Sequence, residues 1–250
     1  LMAQNHFWPH GKPAGDMSEE TGLKTITSGK GVWLYDEKDQ PWYDATSCLW
    51  LVNLGHGRTE IAQAAYEQMK QISFTPMGSV SPPTAKLSAK IASVAPDKDS
   101  RVFFVSGGAE ANETALKMAR KYHINNGEAT RFKVISRINS YHGATHATMS
   151  LGGGTRSPHE FEPLMSGSIK IANYDSYRYG FSTKSEDEAS SEYAKDLERA
   201  ILAHNPSTVS AFIAEPISAA TGIHVPNKSY FQMIREICDK YGVIMISDEV

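Results

Sequence analysis

Five short apolar runs, spaced by amphipathic stretches, set the strongest limit on how this chain can fold. Val102–Val105, Phe132–Ser136, Ser168–Ala172, Val209–Ala214 and Val243–Ser247 read as strands with continuous rather than alternating hydrophobicity. Ala111–Ile124, Ala189–Ala203 and Tyr230–Lys240 carry apolar residues at helical spacing. Strands apolar on both sides need cover on both faces, and alternation with helices supplies it. The pattern predicts an α/β fold with a mostly parallel sheet and helices on both faces. Ligands on such sheets sit beyond the carboxyl ends of the strands, so chemistry is sought where each run stops.

The first run stops at Ser106-Gly107-Gly108-Ala109. Two glycines allow a sharp turn, and Ala111, Ala115, Met118, Ala119 and Tyr122 then follow at helical spacing. A helix opening here leaves unpaired N–H groups and a positive dipole end, a combination suited to phosphate. The same turn also serves many α/β proteins that hold no ligand there. Asp248 closes the last run, where a carboxylate is costly to bury unless paired with a cation or capping a following helix. Tyr141 offers a flat aromatic face for stacking, or a half-buried core ring. Glu215 is fixed by Pro216 in the turn after its run. All four positions follow strands and can reach one rim.

Ahead of Arg101 the pattern changes. Thr25, Val32, Trp33, Leu34 and Tyr35 are β-formers, and Asp36 to Gln40 is polar turn chemistry, so Lys24 to Ala45 predicts short antiparallel strands. Ile61, Ala65, Met69 and Ile72 predict a helix from Thr59. Pro82-Pro83-Thr84 predicts a second one, N-capped by Thr84, with Leu87, Ile91 and Val94 on one face. Gly180 to Ser191 reads as an exposed loop and Gly152-Gly153-Gly154 as a flexible one.

The formal charge of −3 argues against a broad nucleic-acid surface. No apolar run is long enough to span a membrane, and the first residues resemble neither a signal nor a transit peptide, which makes the cytoplasm the default expectation. Cys48 and Cys238 form no CxxC pair and read as buried small hydrophobes. His142 and His146 are spaced as a helical pair, but no carboxylate lies between them in the HExxH manner. No metal site is expected.

Taken in order, the glycine turn, Ser140-Tyr141-His142-Gly143, Ala214-Glu215-Pro216 and Ile246-Ser247-Asp248-Glu249-Val250 resemble the class III aminotransferases of the fold type I pyridoxal-phosphate enzymes. Leu49-Trp50-Leu51-Val52-Asn53-Leu54-Gly55-His56-Gly57-Arg58 extends the resemblance to their ω-amine transaminase branch, over nearly the whole chain. The resemblance implies the aspartate aminotransferase-like fold. Residues 1–57 would belong to its small α+β domain and 58–250 to the N-terminal part of its large cofactor-binding domain.

It also implies pyridoxal 5'-phosphate as cofactor. Ser106, Gly107, Gly108 and Ala109 would cradle the phosphate. Tyr141, within a Tyr-His-Gly motif that includes His142, would stack on the ring. Asp248 would pair with the protonated pyridine nitrogen, Val250 would pack on the opposite ring face, and Glu215 would lie near the ring. The family commonly has a serine where Ala109 stands, so one phosphate hydrogen bond is in question, with the Ser106 or Gly107 amide as a substitute donor. Trp50 would form an apolar substrate wall, or else lie in the core or a dimer interface; Phe7, Trp8 and Phe74 are further candidates.

The family's Schiff-base lysine matches no lysine here and is expected beyond Val250, with this chain as the N-terminal part of a longer polypeptide. The implied reaction moves an amino group from a primary amine or ω-amino acid to an oxo acid such as pyruvate, in a homodimer or larger assembly. Alternatives are a mutase or decarboxylase on the same scaffold, and a non-catalytic cofactor-binding protein.

Overall fold

The structure, a computed structural model, describes residues 6–10, 23–153, 158–175, 177–178 and 185–250. The chain divides into two compact units, Leu1–Ser100 and Arg101–Val250. The boundary implied by the family resemblance, at residue 57, falls inside the first unit.

In the first unit an antiparallel meander joins β1 (Ile26–Lys30), β2 (Trp33–Asp36) and β3 (Pro41–Tyr43). Its second turn is closed by Asp36, whose Oδ1 accepts the backbone N–H groups of Lys38 and Gln40, each at 2.9 Å. Ser47–Trp50 then forms a helical turn in which all four residues have positive φ, between +48° and +66°. Left-handed turns of L-residues cost about 1–2 kcal/mol per residue, so this one departs from what the sequence predicts. Helices α1 (Thr59–Gln71) and α2 (Pro82–Val94) follow. The cap of α2 is Ser81 rather than Thr84: its hydroxyl accepts the Thr84 N–H, and both prolines occupy the first helical positions. Prolines fit there because those N–H groups have no intrahelical partner to lose.

The second unit is built on four parallel strands in the order β5-β4-β6-β7, namely Ser168–Ile171, Lys133–Arg137, Val209–Ala214 and Ile244–Ser247. All six residues of β6 are buried, as a central strand covered on both faces requires. On one face Ile135 and Phe212 pack with Tyr193, Leu197 and Ile201 of α5 (Glu186–Ala203) and with Tyr230 and Ile234 of α6 (Lys228–Tyr241). On the other, Val134, Ala211 and Ile213 pack with Ala119 of α3 (Gly108–Asn125) and Leu151 of α4 (His146–Leu151).

Three sequence expectations change here. Val102–Val105 belongs to no sheet among the described residues, and Phe103 and Phe104 are exposed. The buried stripe of α3 runs through Asn112, Ala119 and His123, while Met118 and Tyr122 face outward. The stretch expected as a loop up to Ser191 already belongs to α5 from Glu186. A reciprocal capping box between Ser185 and Glu188 starts that helix, and Ala189 and Ser190 are buried. Gly154 and residues 179–184 lie outside the described residues.

Candidate cofactor site

The C-terminal end of β7, the loop after β4 and the first turns of α3 meet at one buried carboxylate. Asp248 Oδ2 accepts from Asn112 Nδ2 at 2.8 Å and faces His142 Nδ1 at 2.9 Å. Asn112 also donates to the His142 carbonyl at 2.9 Å, so the three residues close a ring of contacts. The Asp248 N–H is tied to the Ala214 carbonyl at the end of β6. Burial pushes the Asp248 carboxyl up, but the hydrogen bonds from His142 and Asn112 outweigh it and hold the group below its ordinary range. It is therefore an ionised acid at neutral pH with only 7% of its surface exposed. Both strong contacts fall on Oδ2. Oδ1 receives the Val250 N–H at 3.4 Å, which leaves acceptor capacity for a cationic N–H.

The glycine turn stands beside this carboxylate. Asn112 lies one helical turn beyond Gly108, and a Cβ on Gly108 would come within 3.4 Å of Val250 Cγ2. Gly107 has open space where a Cβ would project. The Ser106 N–H, a candidate phosphate donor, instead bonds the Glu110 carboxylate at 2.8 Å. Backbone donation thus narrows to Gly107, Gly108 and Ala109, with Ser106 left its hydroxyl. The Ala109 methyl abuts Gly143, where a Cβ would lie 2.6 Å away; Gly143 has φ +135° and is there because no other residue fits.

Tyr141 is half-buried, and its backbone N–H donates to Glu215 Oε1 at 3.1 Å. Its ring helps to line a cavity of about 210 Å³ with Met149 and Phe161. That cavity lies beside the Asp248 clasp, and neither Asp248 nor Gly108 is in its wall. Glu215 is in turn held by buried Arg137, whose guanidinium lies 3.5 Å from Oε2, reaches the Glu215 carbonyl and donates to Ser218 Oγ at 3.0 Å. Glu215 is thereby the anchor of the tyrosine loop.

His142 sits behind Asp248 with a fully buried side chain, and its Nε2 has no hydrogen-bond partner among the described residues. It can act on a ligand only through Asp248. Sequence reasoning missed Asn112 and Arg137. The available signals were an amide on the inner stripe of a helix and a guanidinium ending an apolar strand.

The donor set suits an anion at the helix start and a protonated ring nitrogen at Asp248, so these residues fit pyridoxal phosphate. The family model described as Aminotransferase class-III matches residues 15–250. The chain belongs to the class III aminotransferases. They are pyridoxal-phosphate enzymes.

A putrescine–pyruvate aminotransferase of Pseudomonas aeruginosa is 40% identical over 254 residues, covering 100% of this chain and 55% of the relative. An omega-aminotransferase of Caulobacter vibrioides is 32% identical over 91% of the chain and 52% of its own length. Among solved structures, an (S)-enantioselective omega-transaminase from Thermomicrobium roseum superposes with a TM-score of 0.93 at 34% identity, over 98% of this chain and 55% of that one. The omega-transaminase of Pseudomonas jessenii in complex with PMP has a TM-score of 0.93 at 31% identity, with the same two coverages. The chain thus spans about half the length of the curated relatives it matches.

In this class III chain Trp50 is 46% exposed and Phe7, Trp8 and Phe74 are exposed as well. Cys48, in the left-handed turn, is exposed, contrary to expectation; Cys238 is buried as expected. Among the described residues no helix is long and apolar enough to cross a membrane.

Proposed function

We propose that the complete protein is an aminotransferase that moves an amino group from a primary amine or ω-amino acid to an oxo acid such as pyruvate. The observation that carries this reading is the Asp248 carboxylate, buried and ionised beside the Gly107–Ala109 turn. Bound pyridoxal phosphate would supply a carbonyl that condenses with amines and a ring able to take up electrons.

The residues of this chain prepare that chemistry. The Gly107, Gly108 and Ala109 amides hold the phosphate without a cationic side chain. Asp248 keeps the ring nitrogen protonated through a charge-assisted hydrogen bond. Asn112 and His142 fix the orientation of that carboxylate, so it need not reorganise during turnover. Tyr141 and Val250 are proposed to flank the ring. Trp50 is assigned to the substrate wall, and the working unit to a cytoplasmic homodimer, on family resemblance.

The test is spectroscopic. The complete protein is loaded with pyridoxal phosphate and mixed with a primary diamine, then with pyruvate. Loss of the bound-cofactor absorbance on amine addition, and its return with pyruvate and alanine production, is the expected result. A spectrum that ignores the amine would make the protein a binder rather than a transferase. Carbon dioxide release without alanine would assign it to decarboxylation.

A further inference from the structure

The first unit contains a second cluster of chemically versatile side chains. Asp44, Cys48 and His56 each offer one ligand atom, and no two of these atoms are more than 4.8 Å apart. His56 Nε2 lies 2.9 Å from Asp44 Oδ2 and 3.9 Å from Cys48 Sγ. Both neighbours approach the same ring nitrogen. A cysteine nucleophile with a histidine base would instead use opposite nitrogens for the thiol and the carboxylate. Here sulfur, nitrogen and oxygen cluster about one hydrogen-bonded centre, a grouping that an ion could take over.

The spacing fits that arrangement. Zinc bonds of about 2.3 Å to sulfur and about 2.0–2.2 Å to nitrogen and oxygen put tetrahedral ligands about 3.4–3.6 Å apart. The observed 2.9 and 3.9 Å each differ from that range by about half an ångström or less.

Backbone contacts fix the cluster before any ion arrives. His56 exchanges two backbone hydrogen bonds with Gly31, at 2.8 and 3.0 Å, and its ring packs where a Cβ on Gly29 would project. Asp44 is held by its N–H to the Val32 carbonyl at 2.9 Å, and its Oδ1 accepts the Cys48 N–H at 3.0 Å. That leaves Oδ2, Sγ and Nε2 as the inward-facing set. Cys48 is exposed, so water can reach a fourth position.

We propose that Asp44, Cys48 and His56 form a binding site for a divalent transition-metal ion, zinc being the one that a mixed sulfur, imidazole and carboxylate set prefers. On binding, the Cys48 thiol releases its proton to solvent and the His56 ring carries its own proton on Nδ1, freeing Nε2 to ligate. The ion clamps the left-handed Ser47–Trp50 turn to the meander. The proposal does not depend on the aminotransferase reading.

The complete protein, stripped of metal with a chelator, is titrated with cobalt(II) as an optical substitute for zinc. One equivalent is expected to give a thiolate-to-cobalt charge-transfer band and intense tetrahedral d–d bands, which zinc then bleaches. Cys48→Gly removes the thiol and suits the positive φ at that position, so folding is retained. It should abolish the charge-transfer band and weaken zinc binding at least about tenfold, as should His56→Gln. Cys238→Ala should leave the band intact. Zinc X-ray absorption should show one sulfur at about 2.3 Å. Absence of a thiolate band in the wild-type protein, or its survival in Cys48→Gly, overturns the site.

Discussion

The two units treat apolar surface in opposite ways. In Arg101–Val250, α5 and α6 bury Leu197, Ile201, Tyr230 and Ile234 completely against the sheet. In Leu1–Ser100, α1 and α2 bury no residue; Ile61 is 51% exposed and Val94 74%. Both helix pairs have amphipathic sequences. Amphipathicity therefore records that a face is meant to be covered, without recording what covers it. The unit with the closed core also holds Arg137, His142, Glu215 and Asp248 in its interior, and the open unit holds an exposed thiol, Cys48, beside the half-buried His56.

Mutations can break or sharpen this contrast. The largest stability effect is expected from Arg137→Met, which strands Glu215 and its hold on the Tyr141 N–H; chemical denaturation should show a loss of about 3–5 kcal/mol. A loss under about 1 kcal/mol would mean that the pair is hydrated in solution. Leu197→Ala should cost about 3 kcal/mol, within the range for cavities in packed cores.

Asp248→Asn in the complete protein should lower turnover about 10²–10³-fold while changing cofactor affinity much less, measured by single-turnover kinetics and equilibrium dialysis. Unchanged turnover would remove Asp248 from the proposed chemistry. Ser185→Ala deletes the capping box of α5 and should cost about 1 kcal/mol. Smallest of all, Ile61→Ala on α1 should cost about 0.5 kcal/mol or less in thermal melts. A cost equal to that of Leu197→Ala would show that Ile61 is covered in the complete protein and would erase the contrast.

Acid titration probes the same carboxylate. The folded pKa of Asp248 lies below the unfolded value of about 3.9. Its contribution to stability is complete above that unfolded value and is lost as pH falls through the folded one. Urea midpoints measured from about pH 5 down to about pH 2 should therefore fall more steeply for wild type than for Asp248→Asn.

The second unit was legible in the sequence because its strands are apolar on both sides and its helices have one apolar stripe. Four of the five expected strands and all three expected helices are present, with α5 starting earlier than its apolar stripe and the short α4 outside the pattern. The fifth, Val102–Val105, shows the limit: composition reports β-propensity, but a strand exists only where a neighbour supplies hydrogen bonds. The family motifs drew attention to Asp248 and His142, and geometry then joined them through Asn112, whose spacing of 136 residues from Asp248 no local pattern could reveal. The Asp44, Cys48 and His56 cluster was missed for a related reason. Pairs of cysteines announce themselves at fixed spacing, whereas three unlike side chains, one after β3, one on a left-handed turn and one on a backbone bridge, do not.

The Asp248 clasp has a kinetic corollary. His142 and Asn112 lie 106 and 136 positions from Asp248, so the carboxylate acquires its partners only after the sheet has brought distant segments together. Contacts of such separation form late and slowly, since loop closure must precede any reward. Recovery of the acid's lowered pKa during refolding at acidic pH, where the unfolded group still holds its proton, would then lag behind helix formation and mark the arrival of a competent rim, giving a proton-release clock for the last stage of assembly.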